Sequence, residues 1–226
     1  MTGRRTVALV PAWNEVDRIG ETIRAIRALA VDEVVVIDDG STDGTPEAAR
    51  TEGVRVLIAP RHLGKGRALE GAFALVPEAE RYLLLDGDLG DTAREGARLL
   101  DALDAGADLA VGVLPRAEAR RGGFGIVKRA SAILIRRLSG FHAAEPMSGQ
   151  RAMTRQVLET VRPLADGFGL ETAMTIDAVR MGFRVDEIPV AMRHRPTGRD
   201  LSGFAHRGRQ GLDVLRAAIP RLLRWR

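Results

Sequence analysis

The sequence contains no cysteine. Disulfides, thiol nucleophiles and cysteine-ligated zinc or iron–sulfur centres are therefore excluded. Lysine is almost as scarce: Lys65 and Lys128 are the only two among 34 basic residues. Arginine has taken its place, through genome composition or because the planar guanidinium fork suits phosphate. Aromatic residues make up only 4% of the chain. With no recognition-helix or base-stacking signature beside them, they argue against a nucleic-acid partner. No apolar run approaches the roughly 18 residues of a membrane span. The opening MTGRRTVALVPAWNE holds a strand-length apolar run broken at Pro11, which is not a signal peptide. A P-loop, a dinucleotide fingerprint after the first strand and a Gly-x-Ser-x-Gly elbow are all missing.

What is present is a regular alternation. The chain has 226 residues, 45% of them apolar, enough for one α/β domain with a sizeable core. Strand candidates cover 6–12, 33–39, 54–59, 81–86 and 107–113. Helical patterns lie between them: Val16, Ile19, Ile23 and Ile26 keep helical spacing, and 41–50, 66–76 and 92–103 follow suit. Strands alternating with such helices imply βαβ units, a mostly parallel central sheet flanked by helices, and strands apolar on both faces. After residue 113 the rhythm breaks. A basic, glycine-rich loop precedes a helix over 126–138. A short strand then runs into a helix ending near Pro163, a further helix spans 167–182, and a last strand is expected within 183–195. Residues 211–226 form a basic amphipathic helix, compatible with an interfacial anchor or an ordinary packed terminus. We expect one domain over 1–226, with a nucleotide-binding half (1–113) and an acceptor-side half (114–226).

The charge is +4 and uneven. Arg116–Arg137 and Arg193–Arg226 are arginine-rich, which points to a surface facing phosphates or an anionic membrane.

Three successive strand ends are polar: PAWNE, DDGSTDGT and DGDLGD. Ligands of open parallel sheets bind outside the carboxyl ends of the strands. Each cluster alone is explained as a turn or cap; three at one edge are not. In an extended segment Asp86 and Asp88 point the same way, and two hard oxygen donors suit Mg²⁺ or Mn²⁺. EF-hand loops are excluded, because Gly90 and Arg50 stand where calcium ligands are required. Asp91 is expected to cap the helix that follows.

Together VPAWNE, VVVIDDGSTDGT, RHLGKGRAL, LLLDGDLG, SGQRAM and GFGLETAMTIDAVRMGFRVDEIPV resemble a family 2-type glycosyltransferase with the Rossmann-like GT-A fold. Dolichyl- and polyprenyl-phosphate sugar synthases and glucosyl- and mannosyl-3-phosphoglycerate synthases are the related groups. The resemblance implies a UDP- or GDP-linked sugar donor, Mg²⁺ or Mn²⁺, and a phosphorylated acceptor, either a polyprenyl phosphate or a small molecule. It implies that Pro11, Ala12, Asn14, Glu15, Asp39, Lys65 and Asp86 contact the nucleotide sugar and that Asp88 binds the metal, with His194 completing its shell. Glu171 would be the carboxylate nearest the acceptor, flanked by Gln150 and Arg151, with Arg199 and Arg207 as a phosphate clamp. The location expected is cytoplasmic or peripheral at the inner membrane face, through the basic C-terminal helix, and a homodimer stays open. The alternatives are a sugar-nucleotide pyrophosphorylase, which would want a glycine-rich basic loop after the first strand, and a non-catalytic nucleotide-binding module.

Overall fold

The computed structural model describes residues 4–115 and 125–194. The first half alternates as expected: β1 (Thr6–Ala12), α1 (Ile19–Arg27), β2 (Glu33–Asp38), α2 (Thr45–Thr51), β3 (Arg55–Ile58), α3 (Lys65–Ala72), β4 (Arg81–Leu84), α4 (Gly96–Asp104) and β5 (Leu109–Val113). Then come α5 (Gly125–Ser139), β6 (Arg151–Thr154), α6 (Arg155–Val161), α7 (Leu170–Arg180) and β7 (Val185–Pro189). Single 3-10 turns, Gly90–Glu95 and Gly167–Gly169, lead into α4 and α7.

Seven strands form one sheet in the order β3-β2-β1-β4-β6-β5-β7. All pairings are parallel except those of β6, which runs antiparallel between β4 and β5. Every residue of β1 is buried, because helices cover both faces of the sheet. Ala8 and Val10 pack with Ile19, Ile23 and Ile26 of α1 on one side. Val7 and Leu9 pack with Leu69 of α3 and Met174 of α7 on the other. A strand buried on both faces has no polar alternation to show, so its sequence is a continuous apolar run.

The last strand is shorter than expected. β7 stops at Pro189, and the chain leaves the sheet across the 3-10 turn that precedes α4. The Ala191 amide donates to Glu95 Oε2 (2.9 Å) and the Arg193 amide to Thr92 Oγ1 (3.1 Å). The Val190 amide still donates to the Val113 carbonyl of β5 (3.0 Å); beyond it, side chains steer residues 191–194 to the carboxyl edge of the sheet.

α3 offers a test with two signs. A Cβ at Gly66 would lie 2.2 Å from the Ala165 carbonyl oxygen, whereas one at Gly71 meets nothing within 4 Å. Gly66→Ala is expected to lower stability by about 1–3 kcal/mol through overpacking. Gly71→Ala should raise it by about 0.5–1 kcal/mol, the helix preference of alanine over glycine. Chemical denaturation of the two variants checks both.

Candidate active site

The turns after β1 and β2 are joined by side-chain-to-backbone hydrogen bonds. Asn14 sits in the left-handed region with φ 56°. Its amide donates to Ser41 Oγ (2.9 Å), and its Oδ1 accepts from the Thr42 amide (2.9 Å). The Glu15 amide donates to Thr45 Oγ1 (2.8 Å) and the Val16 amide to Asp43 Oδ2 (3.1 Å). The polar residues of PAWNE and DDGSTDGT thus brace each other into one rigid ledge. Pro11 and Ala12 are buried beneath it.

The two aspartates at the end of β2, Asp38 and the Asp39 that follows it, diverge. Asp38 Oδ2 accepts from the Ser41 amide (2.9 Å), and its buried Oδ1 has no partner. Asp39 holds the segment that enters α3: its oxygens accept from the amides of Leu63 (2.7 Å) and Gly64 (2.8 Å) and meet His62 Nδ1 (2.9 Å). The His62 ring stacks on Trp13 with centroids 4.2 Å apart. Asp39 therefore positions Lys65, the first residue of α3.

Lys65 is the centre of the site. Its Nζ lies 2.7 Å from Asp86 Oδ1 and 3.2 Å from Glu171 Oε1. Burial alone would pull this ammonium down, but the charges of Asp86 and Glu171 outweigh it and hold the pKa above the ordinary lysine value. Burial likewise opposes the Asp86 charge. The cations Lys65 and His194, with hydrogen bonds from Lys65 and Gln150, still keep that carboxyl below its usual range. Gln150 grips Asp86 twice: Nε2 donates to Oδ2 (2.6 Å), and Oε1 accepts from the Asp86 amide (3.1 Å). The packing leaves no room for a side chain at Gly149, whose Cβ would fall 2.3 Å from Lys65 Nζ and 2.9 Å from Asp86 Oδ2.

Arg151 departs from expectation. It does not line an open acceptor surface; it is fully buried in β6. Nε donates to the Ser148 carbonyl (2.9 Å) and Nη1 to Thr175 Oγ1 (3.0 Å), while Nη2 has no partner. The physical reason is register. Arg151 sits opposite Leu84 and Val111, in the middle of three strands. Burial pushes the guanidinium down to about 10, against the charges of Glu171 and Glu187, which favour the cation. It is a buried positive charge behind Glu171.

Asp88 lies one pleat beyond Asp86 and has a different partner: its Oδ1 is 2.9 Å from His194 Nδ1. Burial lowers the histidine pKa, but the Asp88 hydrogen bond and the charges of Asp86 and Asp88 raise it further, and the net shift is upward. The Asp88 loop is clamped to α1 by Thr22, a buried residue that nothing in the sequence singles out. Thr22 Oγ1 accepts from the Gly90 amide (2.8 Å) and lies 2.8 Å from the Gly87 carbonyl. Gly90 has φ 56°, and a Cβ there would meet Glu21 Oε2 at 2.6 Å, so glycine is required. Asp91 is not the cap it was expected to be. It lies inside the 3-10 turn, makes no capping bond, and pairs with Arg94 at the surface (2.7 Å). The hydroxyl that works at this turn is Thr92, which receives the Arg193 amide.

The donors suit a divalent cation. Asp88 and His194 bring a hard oxygen and an imidazole nitrogen to one point, a pair that Mn²⁺ accepts readily and Mg²⁺ less so. Among the described residues, no group of three or more His, Asp or Glu side chains could hold a metal. Asp88 and His194 would supply two ligands, leaving the remaining positions of such a cation to waters and phosphate oxygens. Arg199, Arg207 and the helix expected over 211–226 lie outside the described residues.

Residues 7–162 match the sequence profile of Glycosyl transferase family 2. The chain belongs to that family. This family 2 chain is 34% identical over 199 residues to the glycosyltransferase AglJ of Haloferax volcanii, a match covering 85% of it and 64% of AglJ. It therefore spans less than two thirds of that relative. It is 30% identical over 211 residues to polyprenol monophosphomannose synthase of Mycolicibacterium smegmatis, covering 86% of this chain and 80% of that one. Among solved structures it resembles glucosyl-3-phosphoglycerate synthase from Mycobacterium tuberculosis in complex with Mn²⁺, UDP-glucose and phosphoglyceric acid. There the TM-score is 0.78 at 28% identity, over 96% of this chain and 80% of that one. At 85%, 86% and 96% of the chain, all three matches extend beyond residue 162 and take in Glu171. The GT-A architecture expected from the sequence is the one found.

Two substitutions probe the geometry. Thr22→Val leaves the buried Gly90 amide unpaired and should cost about 1–3 kcal/mol, read as a lower denaturation midpoint. Lys65→Met leaves Asp86 and Glu171 without their cation. Because Lys65 keeps 24% of its side chain exposed, the loss should be about 2 kcal/mol, less than for a fully buried pair. That loss is complete above the unfolded carboxylate pKa of ~4 and shrinks as pH falls below it towards the depressed pKa of Asp86. Urea titrations at pH 7 and pH 3 should show the gap between variant and parent closing.

Proposed function

We propose that this chain transfers a sugar from a nucleotide-sugar donor to a phosphorylated acceptor, using Mn²⁺ or Mg²⁺ held by Asp88 and His194. The observation that carries the reading is the convergence of Asp88–His194 and Lys65–Asp86–Glu171 at the carboxyl edge of the sheet. Family membership supports it, as do relatives named for sugar transfer to a polyprenol phosphate and to phosphoglycerate. UDP and GDP sugars fit the site chemistry equally.

In this mechanism the ledge of Asn14, Glu15, Ser41 and Asp43 receives the nucleoside. Asp38 carries the unpaired acceptor oxygen beneath it, and Asp39 holds the 62–64 segment in place. Lys65 stands where diphosphate charge develops and counters it without moving. A bound divalent cation supplies further neutralisation of the leaving diphosphate. Glu171 faces the acceptor: it receives the proton of an acceptor hydroxyl, or orients an acceptor phosphate that attacks as an anion. Arg151, buried behind it, keeps positive charge beside the carboxylates. Arg199 and Arg207 are proposed to close over the phosphates. We also propose a cytoplasmic location with peripheral contact at the inner membrane face. Among the described residues no helix is long and apolar enough to cross a membrane.

A thermal-shift panel of UDP- and GDP-sugars with and without Mn²⁺ tests the donor. Metal-dependent stabilisation should appear for the true donor, and its absence across the panel removes the proposal. Asp88→Asn and His194→Ala should each abolish the metal-dependent part. They should also lower transfer by more than the roughly 10–100-fold that losing an outer-shell partner costs. Glu171→Gln separates the acceptor classes. With a hydroxyl acceptor kcat should fall by roughly 10²–10⁴-fold, the value of a general base. With a phosphate nucleophile, ionised without help, the loss should be far smaller.

A further inference from the structure

We infer that the outer face of α5 is a docking surface for an anionic lipid bilayer. From Ala119 to Ala144 the chain has no Asp or Glu, while Arg120, Arg121, Lys128, Arg129, Arg136 and Arg137 fall inside that span. The helix sorts these charges. Ser131, Ile135 and Leu138 face inward and are buried against the protein. Arg129, Ile133, Arg136 and Arg137 are exposed and follow at i, i+4, i+7 and i+8, a single stripe on a helix. At the centre of the stripe stands Ile133, 52% exposed. Met181, 64% exposed, follows Arg180, whose Nε donates to the Leu138 carbonyl at the end of α5 (2.6 Å).

Six surface arginines elsewhere carry an ion-pair partner, while Arg27 and Arg55 reach only backbone carbonyls. Arg5, Arg24, Arg67, Arg155, Arg162 and Arg184 each pair with a carboxylate at the surface. Among the described residues no carboxylate comes within ion-pair distance of Arg129, Arg136 or Arg137. The nearby acids are engaged: Glu145 pairs with Lys128 (2.6 Å), and Glu187 accepts the amides of Ala144 and Glu145. Unpaired guanidinium groups around an exposed isoleucine match the two features of a bilayer interface, a negative headgroup plane over an apolar interior. A folded nucleic acid would want stacking aromatics along the stripe, and the stripe has none.

The position relative to the site is apt. β5 is parallel to β4, through the antiparallel β6 between them, so its end at Val113 lies at the same sheet edge as Asp86. α5 follows within twelve residues of Val113. Its Lys128–Glu145 pair anchors the segment that delivers Gln150 to Asp86. A bilayer against the stripe would lie beside the acceptor half. The inference concerns attachment and stands whether the acceptor is lipid-borne or free.

The test is co-sedimentation of the full chain with vesicles, with no donor or acceptor present, so that failure of the transfer reading leaves it intact. Vesicles of phosphatidylcholine containing phosphatidylglycerol should bind the parent at low salt and release it at high salt. Pure phosphatidylcholine should not bind it. Arg136→Glu with Arg137→Glu should weaken binding on the order of 10–100-fold, and Ile133→Asp several-fold, with circular dichroism unchanged. Parent-level binding by the doubly reversed variant overturns the proposal, as does failure of the parent to bind phosphatidylglycerol vesicles. Loss confined to the C-terminal reversal Arg221→Glu with Arg224→Glu would overturn it as well. Tighter, α5-dependent binding of RNA or of a second copy at the same salt would reassign the face to that partner and also overturn the lipid assignment.

Discussion

Two carboxylates share one ammonium, and much of the molecule is arranged so that they can. Asp86 comes from the end of β4, Glu171 from the first turn of α7, and Lys65 from the start of α3. Desolvation works against the charges of Lys65 and Asp86, and their proximity to each other and to Glu171, His194 and Gln150 reverses it. The constraint propagates outward. Asp39 must hold the 62–64 turn so that α3 begins at Lys65. Residue 149 must be glycine, because any Cβ there would occupy the space of the ammonium. Gln150 must grip Asp86 from both its amide and its carboxylate, which fixes β6 against β4.

The second half of the site is built on a different plan. Asp88 and His194 lie near the Lys65 centre but on separate supports: the loop clamped by Thr22, and the segment that hangs from Thr92 and Glu95. Rigid sheet positions one carboxylate; side-chain hydrogen bonds outside the sheet position the other pair. Arg151 adds a third layer, a cation placed by strand register and enclosed by the protein.

The alternation of strands and helices was legible because parallel strands buried on both faces announce themselves as unbroken apolar runs. The polar strand ends were legible for the same reason: each interrupts such a run. Asp86, Asp88, Lys65, Gln150, Glu171 and His194 converge, and all were visible as residue types in motifs. What stayed hidden is relational. Thr22 looks like any helical threonine until the loop it clamps is seen 65 residues away. Arg151 was expected beside the acceptor, and only its place between β4 and β5 shows that it is buried. Asp91 looked like a cap by spacing alone, but a 3-10 turn moved it to the surface. The last strand looked longer because its apolar residues continue past Pro189: Val190 keeps one bond to β5, and Met192 packs against the core beyond it.

The antiparallel β6 has a consequence for how the molecule is made. β4 finds its second neighbour only when Ala152 and Met153 arrive opposite Leu83 and Tyr82, some seventy residues after β4 leaves the ribosome. Until then the nascent sheet of β1 to β4 carries an unpaired apolar edge, and closing that edge is the same event that brings Gly149 and Gln150 to Asp86. Asp88 waits longer still, for a histidine 106 residues downstream. The two parts of the site are therefore completed at different points along the chain: the Asp86 centre needs β6 and α7, and Asp88 needs residue 194.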